Sequence, residues 1–189
     1  MFGILGEDES DFKTLKVLVR RLVGQSTKVQ GGGYDGCDEL LRRGANDIRG
    51  MWQAGDARHF IVCHDADGRD PTQTKQKVME RVVQKSGLNE SCCIVVPTEE
   101  IEAWILADLD AVRRLMRKFP QRAEIKSPEC VCKPKEYLEH ISADSRGKKL
   151  YDHSRHNEKV AMRLDLAIVR KKCPSYGPFE DFVKNRRPR

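Results

Sequence analysis

An α/β fold with a parallel sheet of about four strands flanked by helices is predicted by three observations. Short apolar runs recur at MFGILG, HFIVC and CCIVV. Segments whose apolar residues fall at helical spacing separate them, and after Asp110 this alternation gives way to helical pattern alone. Strands joined by helices of that length pair in parallel through right-handed crossovers. The expected organisation is a core over residues 1–110 and a basic helical extension over 111–189 packed on it.

Taken in order, MFGILG is the first strand, and Asp8 to Ser10 offer caps for a helix over 11–23 with Phe12, Leu15, Leu18, Val19 and Leu22 on one face. A short stretch near Lys28 to Gln30 follows, and GGGYDG breaks the chain after it. Helix 35–53 buries Leu40, Leu41, Ile48 and Trp52. His59 to Cys63 is apolar on both faces, as a central strand is. Thr72 to Ser86 reads as a helix, Cys92 to Val96 as a strand and Glu99 to Asp108 as a helix. The remainder reads as helices over 111–118, 134–141 and 155–172, closed by PSYGPFEDFV and punctuated by Pro128, Pro134 and SADSRGKK.

At 189 residues, 39% hydrophobic and 34% charged, the chain has the make-up of one globular core. No apolar run approaches the roughly 18 residues of a membrane span, and the start lacks the pattern of a signal peptide, so the cytoplasm is the expected compartment. The seven cysteines are an odd number and read as reduced thiols. Cys130, Cys132, His153 and His156 offer four zinc ligands, although CxC is not the usual CxxC spacing.

The net charge of +6 is unevenly spread: residues 1–110 carry −5 and residues 111–189 carry +11. An acidic half joined to a basic half suits a metal-dependent nucleic-acid enzyme, whose carboxylates hold the cation while Lys and Arg hold phosphates.

Parallel strands point their C-terminal ends at one edge, where residues distant in sequence meet. Here three strand ends run into GEDESD, HDADGRD and PTEEIE. Such a concentration of carboxylates is repulsive unless cations bind, and an all-oxygen set favours Mg²⁺ or Mn²⁺, one or two ions. Glu7 and Asp11 lie four apart across a helix start; Asp65 and Asp67, two apart in extended chain, project to one side; Glu99, Glu100 and Glu102 are further candidates of equal rank, with Glu99 and Glu102 one helical turn apart. The plainer reading makes Asp8, Glu9 and Ser10 helix caps, Asp70 a turn starter and His64 a hydrogen-bonded core histidine.

A glutamate after strand one, Glu7 in ILGEDESD, with Asp65 and Asp67 in IVCHDADG, resembles the Toprim superfamily of topoisomerase and primase catalytic domains and OLD-type nucleases. Over nearly its whole length the chain is also similar to small bacterial Toprim-like proteins that accompany ABC-type or OLD-like ATPases in phage defence. PTEEIEAWILAD, KPKEYL and RLDLAIVRKKCPSYGPFEDFV carry that likeness. The resemblance implies a Rossmann-like Toprim core and a Mg²⁺- or Mn²⁺-dependent endonuclease acting on DNA or RNA under an ATPase partner. It gives catalytic roles to Glu7, Asp65 and Asp67, and makes Asp11 and Glu100 or Glu102 further metal ligands. It also implies a downstream lysine, for which Lys148, Lys149 and Lys159 are candidates. Lys149 stands for it in the expected site, with Lys148, Arg155 and Lys159 beside it as nucleic-acid contacts. A topoisomerase would need a tyrosine on another domain. Competing readings are a small-molecule phosphatase, since DADGRD is superficially similar to the DxDG of haloacid-dehalogenase enzymes, and a non-catalytic subunit binding nucleic acid or an ATPase, with a homo-oligomer as a further arrangement. Trp104, Ile105, Tyr176, Phe179 and Phe182 read as core rather than partner contacts.

Overall fold

The first strand, β1 (Phe2–Gly6), is buried along its whole length and lies inside the sheet. In the computed structural model, which describes residues 1–121 and 124–186, β1 is paired in parallel on one side with β2 (Val29–Gly33) and on the other with β3 (His59–Cys63). β4 (Cys92–Val95) adds in parallel to β3, giving the order β2-β1-β3-β4. The chain is therefore an α/β protein with an all-parallel four-stranded sheet and a helical C-terminal region.

Alternation along the strands divides the interior into two layers. Phe2, Ile4, Ile61, Cys63 and Val95 face one side, where α1 (Glu9–Val23) and the C-terminal helices cover them. Leu5, Phe60, Val62 and Ile94 face the other, under α2 (Cys37–Gln53) and α3 (Pro71–Val78). The predicted helix 72–86 is not uniform: a π-turn over Met79–Val83 separates α3 from a last turn, α4 (Gln84–Ser86).

The glycine run continues the edge strand rather than ending it. A Cβ at Gly31 would lie 1.9 Å from the Ile4 carbonyl oxygen, and one at Gly33 would lie 2.1 Å from the Asp8–Glu9 peptide. Only glycine lets β2 lie this close to β1 and the start of α1. The helix expected from Glu99 begins at Glu102, as α5 (Glu102–Leu106), because the preceding loop is used differently. The Pro97 and Glu99 carbonyls accept the Ala66 and Asp67 amides at 3.3 and 3.1 Å, which ties the loop after β4 to the loop after β3.

The C-terminal region comprises α6 (Leu109–Leu115), α7 (Pro134–Ile141), α8 (His153–Ala161), α9 (Leu166–Lys172) and α10 (Tyr176–Lys184). The single helix expected over 155–172 is two, because Asp165 caps α9 by accepting the Ala167 amide at 2.9 Å and donates its own amide to Asp108 Oδ2 at 2.8 Å. Trp104, Tyr176 and Phe179 are buried core, as read: Trp104 meets Tyr176 edge-on at 5.1 Å and its indole N–H donates to Ser175 Oγ at 2.9 Å. One continuous cluster runs from Phe2 to Val183, so the C-terminal helices complete the core on their side of the sheet. No described helix is long and apolar enough to cross a membrane.

Candidate functional site

In the order β2-β1-β3-β4 the chain reverses its winding direction between β1 and β3, and ligands of open α/β sheets bind beyond the strand ends at such a point. Glu7 leaves β1 there and Asp65 leaves β3. They meet: the Asp65 amide donates to Glu7 Oε2 at 3.2 Å. His64 lies beneath them, with Nδ1 2.7 Å from the Asp65 carbonyl oxygen and 3.4 Å from Glu7 Oε2. A carbonyl can only accept, so Nδ1 carries the proton, leaving a buried Nε2 with no partner among the described residues. The core-histidine reading of His64 describes its position.

Asp65, Asp11 and Glu102 are 8%, 4% and 3% exposed. Burial first, then repulsion from Asp11 and Glu102 on Asp65 and from Asp8 and Glu102 on Asp11, raises both carboxyls well above the usual carboxylate range. Burial also raises Glu102 and Glu7. Asp11 and Glu102 both act on Asp65, which places all three in one electrostatic neighbourhood. Asp11 also closes a capping box on α1: its amide donates to Asp8 Oδ1 at 2.9 Å and its Oδ2 accepts the Asp8 amide at 3.3 Å. The capping reading thus holds for Asp8 and extends to Asp11.

Asp67 departs from the extended geometry expected of the pair. Its φ is +51°, in the left-handed region, and its side chain is exposed where Asp65 is buried. Two cross-loop hydrogen bonds hold that turn, so the two carboxylates present different environments to a ligand.

Glu100 serves mainly as a cap for a distant helix. α7 lacks one of its own: Lys133 before it is left-handed and Pro134 has no amide hydrogen. The Lys135 amide donates to Glu100 Oε2 at 2.8 Å, and the Lys135 ammonium lies 3.4 Å from Glu100 Oε1. Burial pulls the Lys135 ammonium down, but Glu102, Glu100 and Asp65 together raise it above the ordinary lysine value. Glu102 is held from the other half of the chain: Asn157 Nδ2 donates to its Oε1 at 2.9 Å, and the Tyr151 hydroxyl donates to Asn157 Oδ1 at 2.6 Å.

The site therefore draws on both halves, from Glu7 to Asn157. A family model described as Domain of unknown function (DUF4276) matches residues 6–184. The chain belongs to the DUF4276 family. No curated protein and no solved structure matches it.

In this DUF4276 chain the lysine beside the carboxylates is Lys135, which sequence reasoning missed together with Asn157 and Tyr151. The available signal was KPKEYL, whose proline opens a helix with Lys135 in its first turn. Lys149 pairs with Glu139 at 3.0 Å instead. Lys148, Lys149 and Arg155 are exposed and line a common cavity of about 550 Å³. Tyr151, which lines that cavity, joins it to the acidic site through Asn157 to Glu102. Lys159 is exposed on α8 and does not line the cavity.

Among the described residues no group of three or more His, Cys, Asp or Glu side chains is arranged to hold a metal ion as it stands. The suggested zinc set of Cys130, Cys132, His153 and His156 is therefore not assembled; both thiols are exposed and His156 Nδ1 accepts the Asp152 amide at 2.9 Å. One observation nevertheless fits a hard cation: Asp65 Oδ1 is buried without a hydrogen-bond donor among the described residues. A buried carboxylate oxygen without a donor can take a cation as its partner, and the carboxylates near it are a donor set that suits Mg²⁺ or Mn²⁺.

Proposed function

We propose that the chain hydrolyses phosphodiester bonds in DNA or RNA, with one or two Mg²⁺ or Mn²⁺ ions held by Glu7, Asp65 and Asp67 and flanked by Asp11 and Glu102. The observation that carries this reading is the partnerless Asp65 Oδ1, buried among carboxylates at the β1/β3 switch point. The ions, when bound, supply charge neutralisation at the phosphate and an activated water. The chain's own residues do the rest. The Asp65 amide fixes Glu7, Asn157 orients Glu102, and Lys135 brings a cation beside the acids, where it can meet negative charge building on the phosphate. Lys148, Lys149 and Arg155 flank this centre and are suited to hold the polymer backbone.

This reading agrees with the Toprim resemblance of Glu7, Asp65 and Asp67, and that resemblance further proposes an ABC- or OLD-type ATPase as the controlling partner. It replaces Lys149 with Lys135 as the catalytic lysine. The test is cleavage of labelled DNA and RNA by purified protein with Mg²⁺ or Mn²⁺. Asp65→Ala and Asp67→Ala are expected to lose activity at least about a hundredfold; undiminished cleavage by both would refute the assignment. A second reading is a binding subunit without catalysis. It requires metal-independent binding and no cleavage by the wild-type protein.

A further inference from the structure

The N-terminal half carries a net charge of −5, yet its outer helical layer holds a concentrated positive surface. Arg42 and Arg49 on α2 face Lys77, Arg81 and Lys85 on the α3–α4 segment across a cavity of about 810 Å³. All five are exposed, and Asp38 at one end is the only carboxylate in the lining. Among the described residues Lys77, Arg81 and Lys85 have no ion-pair partner, whereas Arg42 approaches Glu39 at 3.6 Å. Arg49 is held in place: one guanidinium nitrogen donates to the Lys85 carbonyl at 2.7 Å and another donates to Asn46 Oδ1. This surface lies on the α2 and α3 side of the sheet, apart from the Lys148, Lys149 and Arg155 cavity on the C-terminal helices.

The groove has a structural basis. A Cβ at Gly44 would lie 3.0 Å from Val82 Cγ1 and 3.2 Å from Leu5 Cδ2, so the glycine lets α2 settle against the π-turn. In an unbroken α-helix, residues four apart advance about 6 Å and drift about 40° around the axis. Lys77, Arg81 and Lys85 would spiral away from the groove. The π-turn over Met79–Val83 closes on a residue five ahead and winds more slowly, which keeps the three cations in one row. Cations on both walls of one cavity match a polymer with repeated negative charge. A bound peptide would need apolar anchors, and only Leu41 and Ala45 lie between the charges.

We infer that the groove between α2 and the α3–α4 segment is a second track for the phosphate backbone of a nucleic acid. The choice of polymer rests on the nuclease reading, while the charge geometry does not. The test is fluorescence-anisotropy titration of single- and double-stranded DNA and RNA oligonucleotides across a salt series, without added divalent metal. The wild-type chain is compared with the triple variant Arg42→Ala, Arg81→Ala, Lys85→Ala, whose fold is checked by circular dichroism. The variant is expected to bind on the order of tenfold or more weakly, with the slope of log K against log salt lowered by about 2 to 3. Unchanged affinity and slope would overturn the track. Tight binding of polyglutamate with no binding of either nucleic acid identifies an acidic protein partner and also overturns it. Groove-dependent binding by a protein that cleaves nothing upholds the track and defeats the catalytic reading. Cleavage by the wild type with undiminished binding by the variant does the reverse.

Discussion

At the scale of single residues, Asp65 is where stability and the proposed chemistry oppose each other. At low pH the folded and unfolded chains both hold their carboxyl protons, and the cluster adds no penalty. As pH rises past the ordinary carboxylate value near 4, the unfolded chain releases protons that folded Asp65, Asp11 and Glu102 retain. Stability therefore falls with rising pH until the folded groups ionise. Thermal melts without divalent metal should show this loss between mildly acidic and neutral pH, and added Mg²⁺ or Mn²⁺ should restore stability chiefly at the neutral end. Asp65→Asn removes the ionisation and is expected to stabilise the metal-free protein at neutral pH by about 1 kcal/mol while abolishing the metal response. Lys135 makes a companion prediction. Lys135→Met should lower cleavage at saturating substrate about a hundredfold, whereas Lys149→Met, which breaks an exposed pair with Glu139 and removes one of three polymer-holding cations, should raise KM and leave kcat within a few-fold of wild type.

At the scale of elements, the capping box at the start of α1 fixes both the helix and the approach of Asp11. Asp8→Ala is expected to lower the unfolding free energy by about 1 kcal/mol in denaturant titration, with the slope against denaturant unchanged. Elements set by apolar periodicity were legible in the sequence: HFIVC, buried on both faces, is a central strand, and Phe12, Leu15, Leu18 and Leu22 do line the inner face of α1. Elements set by long-range hydrogen bonds were not. GGG reads as a break because its close approach to Ile4 is a tertiary fact, and the helix after β4 starts late because its first carbonyls serve Ala66 and Asp67. In the site, Glu7 and Asp65 could be placed from strand direction alone. Lys135 could not, because its relation to Glu100 depends on how α7 folds back from 35 residues downstream.

At the scale of the whole molecule, the segments before and after Asp110 share one interior. Trp104, Ile105 and Leu106 share one cluster with Val160, Tyr176 and Phe179. A chain ended after Asp110 would expose that face to water, and the buried area of several large side chains exceeds what a marginally stable domain can lose. Such a truncation is expected to lack cooperative thermal unfolding and dispersed amide signals by NMR, while the full chain shows both.

The bond from Asn157 to Glu102 also bears on biosynthesis. While the polypeptide emerges from the ribosome, Glu102 lacks its anchor until residue 157 is made, and the interior on the α1 side lacks its cover until α8 to α10 follow. On the nuclease reading, a chain still under synthesis would carry an unfinished site and spare the cell's own nucleic acids until its last helices were made.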